Sequence, residues 1–150
     1  MTDLELQWTI YNCILLVTFM IRVVAALIKK DNKVLIAKRL TGDSSLIGKW
    51  EFPGGKVEKN EDDKRAIERE IREEFNIKIV ANKFLANSIH DYPNKKINLC
   101  LYDCDYIDGT FSLHDHSEYK YVSKEELNNY TFCPADIPLV EFIIGLEKTK

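Results

Sequence analysis

The chain lacks an excess of positive charge. Its 21 Lys and Arg face 24 Asp and Glu, a formal net charge of −3. No basic field is available for polymeric nucleic acid, although a small anion arriving with its own metal is not excluded. Cysteine is scarce. Cys13, Cys100, Cys104 and Cys133 form neither a CxxC pair nor a His-linked spacing, which removes zinc-ribbon and zinc-finger readings. Buried reduced thiols in a cytoplasmic protein are the expectation. Repeats, low-complexity runs and linkers are also absent, so the 150 residues, 45% of them hydrophobic, predict one globular domain with a sizeable core.

One apolar stretch is long. Trp8 to Ile28 carries a single charge, Arg22. Asp3 and Glu5 precede it, where a signal peptide carries Lys or Arg. Residues 21–28 are wanted as the first core strand, and what remains, 8–20, is too short to span a bilayer. No membrane partner is therefore expected. Residues 1–19 are read as an N-terminal extension, either a mis-assigned start ahead of Met20 or a genuine extra strand or helix, and residues 20–150 as the domain proper.

Periodicity predicts strands at about 21–29, 33–39, 50–52, 77–91 (interrupted), 95–107 and 118–122, with helices at about 61–75, 124–129 and 136–147. Lys30-Asp31-Asn32-Lys33 should turn the first strand into the second, and Asp108-Gly109 is a further turn signal. Asn60 is the expected N-cap of the first helix, with Asp63 at the capping-box position, and Ser123 with Glu126 forms a second capping box. Pro138 suits the first turn of the last helix. A mixed sheet flanked by helices follows, an α/β class.

The most informative feature lies on the 61–75 helix. Glu70, Glu73 and Glu74 stand at spacings i, i+3 and i+4, crowding three carboxylates on one stripe. Like charges so placed repel, and a divalent cation such as Mg²⁺ or Mn²⁺ rewards the crowding. A solvated acidic helix pairing with Lys64, Arg65, Arg69 and Arg72 is the plainer alternative. Ala66, Ile67, Ile71 and Phe75 form an apolar stripe beside the acids, so the helix is anchored on one side. Upstream, Trp50-Glu51-Phe52-Pro53-Gly54-Gly55 reads as a short aromatic strand ending in two glycines that allow close approach to a ligand.

From Gly55 to Ile77 the spacing resembles the Nudix box: Gly55, five residues, Glu61, seven residues, Arg69-Glu70-Ile71, then Glu73-Glu74. Every specified position agrees except Asn76, where the family has glycine. Asn is the next-best residue for a left-handed helix C-cap. With common residue types at roughly one in ten per position, six single-residue matches arise by chance about once in a million windows.

The resemblance, to MutT-type members over about residues 20–146, implies the Nudix α/β/α sandwich with a mixed β-sheet between helices. It implies an Mg²⁺-dependent nucleoside triphosphate pyrophosphohydrolase, with Mn²⁺ as a substitute, releasing the monophosphate and pyrophosphate. Clearance of oxidised or modified nucleotides such as 8-oxo-dGTP, a DNA-repair role, is the first expectation. A CTP or modified-dCTP pyrophosphohydrolase is the alternative, and a non-catalytic Nudix-like nucleotide-binding module, which would normally have lost the metal carboxylates, is a further one. The metal ligands implied are Gly54 (through its carbonyl), Glu70, Glu73 and Glu74, with Arg69 and Glu61 bracing the helix.

Asp115-His116-Ser117-Glu118 resembles a family loop that supplies a further ligand or base, so Asp115 and Glu118 join Glu70, Glu73 and Glu74 as catalytic candidates. His114 and His116 on this polar loop are more often surface residues. Arg39 is either a bidentate phosphate clamp or a solvated strand end; the resemblance favours the clamp. Phe132-Cys133-Pro134-Ala135-Asp136-Ile137-Pro138 resembles the segment whose acid reaches the base edge in the family, while Asp136 is also a candidate N-cap. Substrate-binding candidates are thus Arg39, Phe52, Lys56 and Asp136. Trp50, Phe52 and Tyr92 are each as well suited to core packing as to walling a base. A monomer or homodimer acting on a nucleoside triphosphate is expected.

Overall fold

The computed structural model describes residues 2–18 and 20–146, with the side chains of 11–18 left aside. A helix, α1 (Asp3–Thr18), precedes β1 (Met20–Lys30) and β2 (Lys33–Arg39). Two short strands follow, β3 (Trp50–Glu51) and β4 (Gly54–Lys56), then α2 (Asp63–Phe75). The long strands β5 (Ile77–Tyr92) and β6 (Lys95–Gly109) lead to β7 (His116–Val122), two 3₁₀ turns (Lys124–Asn129 and Pro134–Asp136) and α3 (Ile137–Gly145). The extension therefore contains a helix; Cys13 lies in it, with its side chain outside the described ones.

The sheet is mixed. β1 runs parallel to β6, and β5 lies antiparallel beyond β6. The other edge of β1 is shared: β2 takes Lys29–Lys30 and β4 takes Val23–Ala25, both antiparallel. β2 in turn pairs with β3 and β7. The β1–β2 turn is tight because Asp31 and Asn32 both adopt left-handed backbone, at φ 52° and 60°, a conformation these two residues tolerate best after glycine.

Strand alternation builds two cores. Val24, Ala26, Ile28, Leu35, Ala37, Cys100 and Cys104 face Ala66, Ile67, Ile71 and Phe75 of α2. Ala25, Leu27, Val34, Ile36, Leu99 and Leu101 face Phe132, Ala135 and Leu139, Val140 and Ile143 of α3. The expected sandwich is thus present, with helices on both faces of one sheet. Cys100, Cys104 and Cys133 are buried and free. Among the described residues no helix is long and apolar enough to cross a membrane.

Several local expectations need correction. α2 is capped by Asp62, whose carboxylate accepts from Arg65 N–H at 2.9 Å, and not by Asn60, which sits in a left-handed turn at φ 65°. Asp63 is no capping-box partner: Arg22 and the Tyr102 hydroxyl (2.6 Å) both engage it, tying the helix start to β1 and β6. Asn76 does adopt the left-handed C-cap, at φ 57°. Ser123 Oγ donates to the Glu126 carboxylate at 2.8 Å and makes no backbone cap, and the segment winds as 3₁₀. Asp108-Gly109 closes no hairpin; Gly109, at φ 114°, ends β6 opposite Ile77.

Candidate active site

Backbone pairing brings three distant segments to one cleft. Trp50 N–H donates to Thr131 O and Cys133 N–H donates to Trp50 O, both at 2.8 Å, so the 131–136 segment runs beside β3. β7 pairs with β2 so that His116 stands opposite Arg39. β4 is clamped between β1 and α2, and its two glycines make this possible: Gly54 on the β1 side and Gly55 on the α2 side. A Cβ on Gly54 would lie 1.9 Å from Val24 O, and one on Gly55 would lie 2.3 Å from the Glu70 carboxyl carbon. Neither glycine has positive φ, so lack of space, not backbone conformation, excludes a larger residue at both positions.

The resulting cavity holds about 380 Å³. Arg39, Glu51, Phe52, Gly54, Gly55, Lys56, Glu74, Asp115, His116 and Asp136 all line it, with Tyr92, Ile97, Leu99 and Ala135 as apolar wall. Thr41, Gly42, Asp43 and Leu46 add the loop between β2 and β3. Trp50 is core instead, packed edge-on against Tyr130 at 5.1 Å.

Polar groups follow one another along the wall. Asp136 is buried, and its carboxylate accepts from Phe52 N–H at 3.0 Å. It makes no helix cap, contrary to that expectation. Glu51 comes next: one oxygen accepts from Arg39 Nη1 at 2.8 Å and the other lies 2.9 Å from His116 Nε2. His116 Nδ1 then faces Glu74 Oε2 at 3.8 Å. His116 is no surface residue; it is 4% exposed and stacks on Phe75 at 5.0 Å. Arg39 is half-buried and not free, since Glu51 and Thr41 O hold it.

Acids outnumber bases here, and the proton affinities of Glu74 and Asp136 rise. Burial, then Glu70, Glu51 and Asp115, push the Glu74 carboxyl up to about 8. Burial and Glu51 raise Asp136 well above the usual carboxylate range, against the opposing Phe52 N–H. Burial also raises Glu70, which Arg69 partly offsets. The Cys133 thiol is pushed up to about 12 by burial and Asp136, which leaves it protonated and unreactive.

Outside the cleft, Arg69 braces the helix as expected. It grips Glu61 through two hydrogen bonds (2.7 and 2.9 Å), reaches Glu70 Oε1 at 3.0 Å and Glu73 Oε2 at 3.3 Å, and donates to Lys56 O at 3.1 Å. Glu70 therefore lies against Gly55, Glu73 points outward, and only Glu74 of the three lines the cavity. Glu118 does not line it; it sits on β7 opposite Lys38 and pairs with Lys120 at 3.5 Å.

A hard divalent cation suits this donor set. The oxygens are carboxylate, and Glu74 Oε2 is buried without a hydrogen-bond partner among the described residues. Arg69 uses one oxygen each of Glu70 and Glu73, leaving each carboxylate further acceptor capacity. The acids do not converge into a finished cage: among the described residues no three acidic, imidazole or thiol groups do so.

Glu51 and His116 are the groups that sequence reasoning missed as site residues. A signal existed for Glu51: its neighbours Trp50 and Phe52 both face the core, so alternation sends it to the opposite face, which the cleft also buries. His116 was hidden by a strand that starts two residues earlier than expected.

A NUDIX domain model matches residues 23–142. Over 131 residues, 87% of this chain and 96% of the relative, the chain is 37% identical to the CTP pyrophosphohydrolase of Escherichia coli. Over 110 residues, 73% and 82% of the two chains, it is 31% identical to an 8-oxo-dGTP diphosphatase of Buchnera aphidicola. The solution structure of the E. coli ORF135 protein matches with a TM-score of 0.75 at 37% identity, covering 87% of this chain and 93% of that one. The crystal structure of a MutT protein from Methanosarcina mazei also gives 0.75, at 29% identity over 87% and 96%. Nudix hydrolases depend in general on a divalent metal, which accords with the carboxylates gathered at α2. The chain belongs to the Nudix family of hydrolases.

Proposed function

We propose that this Nudix hydrolase cleaves nucleoside triphosphates to the monophosphate and pyrophosphate with Mg²⁺, Mn²⁺ serving as a substitute. One observation carries the reading: a single cavity joins an apolar pocket containing a buried carboxyl, Asp136, to the acidic end of the Nudix helix at Glu74. Gly54 (carbonyl), Glu70, Glu73 and Glu74 would hold the cation, which supplies charge neutralisation on the phosphates and activates water. Phe52 and Tyr92 wall the base, and Asp136 reads its edge. Lys56 and Arg39 bind phosphate oxygens; Arg39 has donors beyond the one Glu51 uses. Glu74 or Asp115 accepts the proton of the attacking water; for Glu74, burial and the neighbouring acids raise the proton affinity toward what a general base needs near neutral pH. Glu118 has no part in this set.

The substrates are oxidised or modified nucleotides such as 8-oxo-dGTP. A second reading, CTP or a modified dCTP, is favoured by the 37% identity to the E. coli CTP pyrophosphohydrolase along nearly its whole length. The buried free thiols fit a reducing, cytoplasmic setting. A pyrophosphate-release screen over 8-oxo-dGTP, CTP, a modified dCTP and the ordinary nucleotides, with and without Mg²⁺, tests both. Mg²⁺-dependent release from one of the first three, well above the rest, is expected. No release from any triphosphate would overturn the proposal.

A further inference from the structure

The imidazole of His116 is buried between two carboxylates that belong to different parts of the site. Its Nε2 lies 2.9 Å from Glu51 Oε2, and Glu51 is adjacent to Phe52, the residue that holds Asp136. Its Nδ1 faces Glu74 Oε2 at 3.8 Å. Both of these last atoms are buried, and neither has a hydrogen-bond partner among the described residues. Two unsatisfied buried polar atoms facing each other are costly to leave apart, and a movement of less than 1 Å brings them into hydrogen-bond range. The ring itself has little freedom, because it stacks on Phe75 at an interplanar angle of 22° and is pinned by the pairing of β7 with β2.

We infer that His116 is a positioning residue that fixes Glu74 for the cation through Nδ1 and, through Nε2, fixes Glu51, which in turn holds the phosphate-binding Arg39, linking the two halves of the site through one ring. The inference rests on the proposed function for its nucleotide half only. Side chains that orient a ligating group typically account for about 10- to 100-fold in metal affinity. Both partners are carboxylates and accept, so each ring nitrogen must donate its own N–H, and the two halves are separable by replacing one nitrogen at a time.

Three variants of the full chain make the test. His116→Phe keeps a ring on Phe75 and removes both nitrogens. His116→Asn places an amide near the Nδ1 position, and His116→Gln near the Nε2 position. Mn²⁺ binding to nucleotide-free protein, read from the electron paramagnetic resonance of free Mn²⁺, is measured beside KM and kcat. His116→Phe should bind Mn²⁺ at least about tenfold more weakly and raise KM. His116→Asn should recover Mn²⁺ affinity but not KM, and His116→Gln should recover KM but not Mn²⁺ affinity. Wild-type Mn²⁺ affinity in His116→Phe overturns the inference. So does equal Mn²⁺ affinity in His116→Asn and His116→Gln, which decides the matter even if His116→Phe does not fold. If the wild type hydrolyses no nucleotide, the proposed function fails while the Mn²⁺ titration still judges the role of His116.

Discussion

Arg69 and the cavity wall lie on either side of the same helix and handle negative charge in opposite ways. Around Arg69, four acids, Glu58, Glu61, Glu70 and Glu73, each lie within 3.6 Å of the one guanidinium and are paired with it directly. Glu61 takes two of its hydrogen bonds, and the guanidinium holds that carboxyl down at about 2. Along the wall, Arg39 pairs directly with Glu51, while the buried carboxyls of Glu74 and Asp136 have no arginine or lysine in direct ion pairing among the described residues, and the Glu74 carboxyl rises to about 8. Matched charges stabilise a shape. Unmatched buried charges cost stability, and in a cleft they mark where a missing counter-charge belongs.

The comparison breaks most sharply at Glu74. Glu74→Gln should lower turnover at least about a hundredfold, as loss of a preorganised electrostatic group does, while raising the melting temperature of metal-free protein at pH 7.5. Steady-state kinetics in Mg²⁺ and thermal unfolding in chelator check both halves; turnover close to wild type removes Glu74 from the chemistry. Asp136→Ala comes next. It strips the acceptor from a buried Phe52 N–H, so about 1–3 kcal/mol of stability should go, together with roughly tenfold in kcat/KM for the preferred nucleotide. Asp136→Asn keeps an acceptor for that N–H and should restore most of the stability while still altering nucleotide preference, which denaturant unfolding and competition between nucleotides would separate.

Arg69→Lys tests the matched side. A point charge cannot reproduce the fork on Glu61, so the melting temperature should fall with base preference unchanged. A change in base preference without loss of stability would mean Arg69 serves the substrate. The smallest effect is expected from removing residues 1–19. Leu4, Leu6 and Ile10 of α1 are exposed, and every residue proposed for the site lies beyond them. Melting temperature and kcat/KM of a chain beginning at Met20 should stay within a few degrees and about twofold of the full chain; insolubility would place α1 in the core.

Legibility in the sequence followed the range of the interactions. The apolar stripe of α2, the left-handed cap at Asn76 and the Asp31-Asn32 turn are set by neighbours within a few residues, and all three appear where their patterns place them. The split that sends Val24 and Ala25 into different cores was not legible, because residues 23–28 are apolar throughout and carry no alternating pattern. The cap at Asp62 was missed by two residues because Asn60 is used for a left-handed turn, a competing role for the same side chain. β4 is three residues, two of them glycine, and carries no strand propensity; it exists because β1 offers an open edge at Val23–Ala25. His116 and Asp136 belong to the site through pairing with β2 and β3, at separations no local pattern encodes. Their nearest alternatives, a surface loop and a helix cap, are what such residues do when nothing distant claims them.

The central claim is that Glu74 is held in the cleft for a cation. A carboxyl whose proton affinity is higher in the folded than in the unfolded chain binds more protons when folded. Its effect on stability is therefore absent below the unfolded value near 4.5 and grows more unfavourable as pH rises, levelling off above about 8. Summed across that window the loss is on the order of 5 kcal/mol. Thermal unfolding of wild type and Glu74→Gln between pH 5 and 8.5, each in chelator and in Mg²⁺, measures this directly. Wild type in chelator should lose stability as pH rises, Mg²⁺ should restore it most at the alkaline end, and Glu74→Gln should show a flatter profile and little gain from Mg²⁺. An equal gain from Mg²⁺ in both proteins, or none in the wild type, would contradict the account.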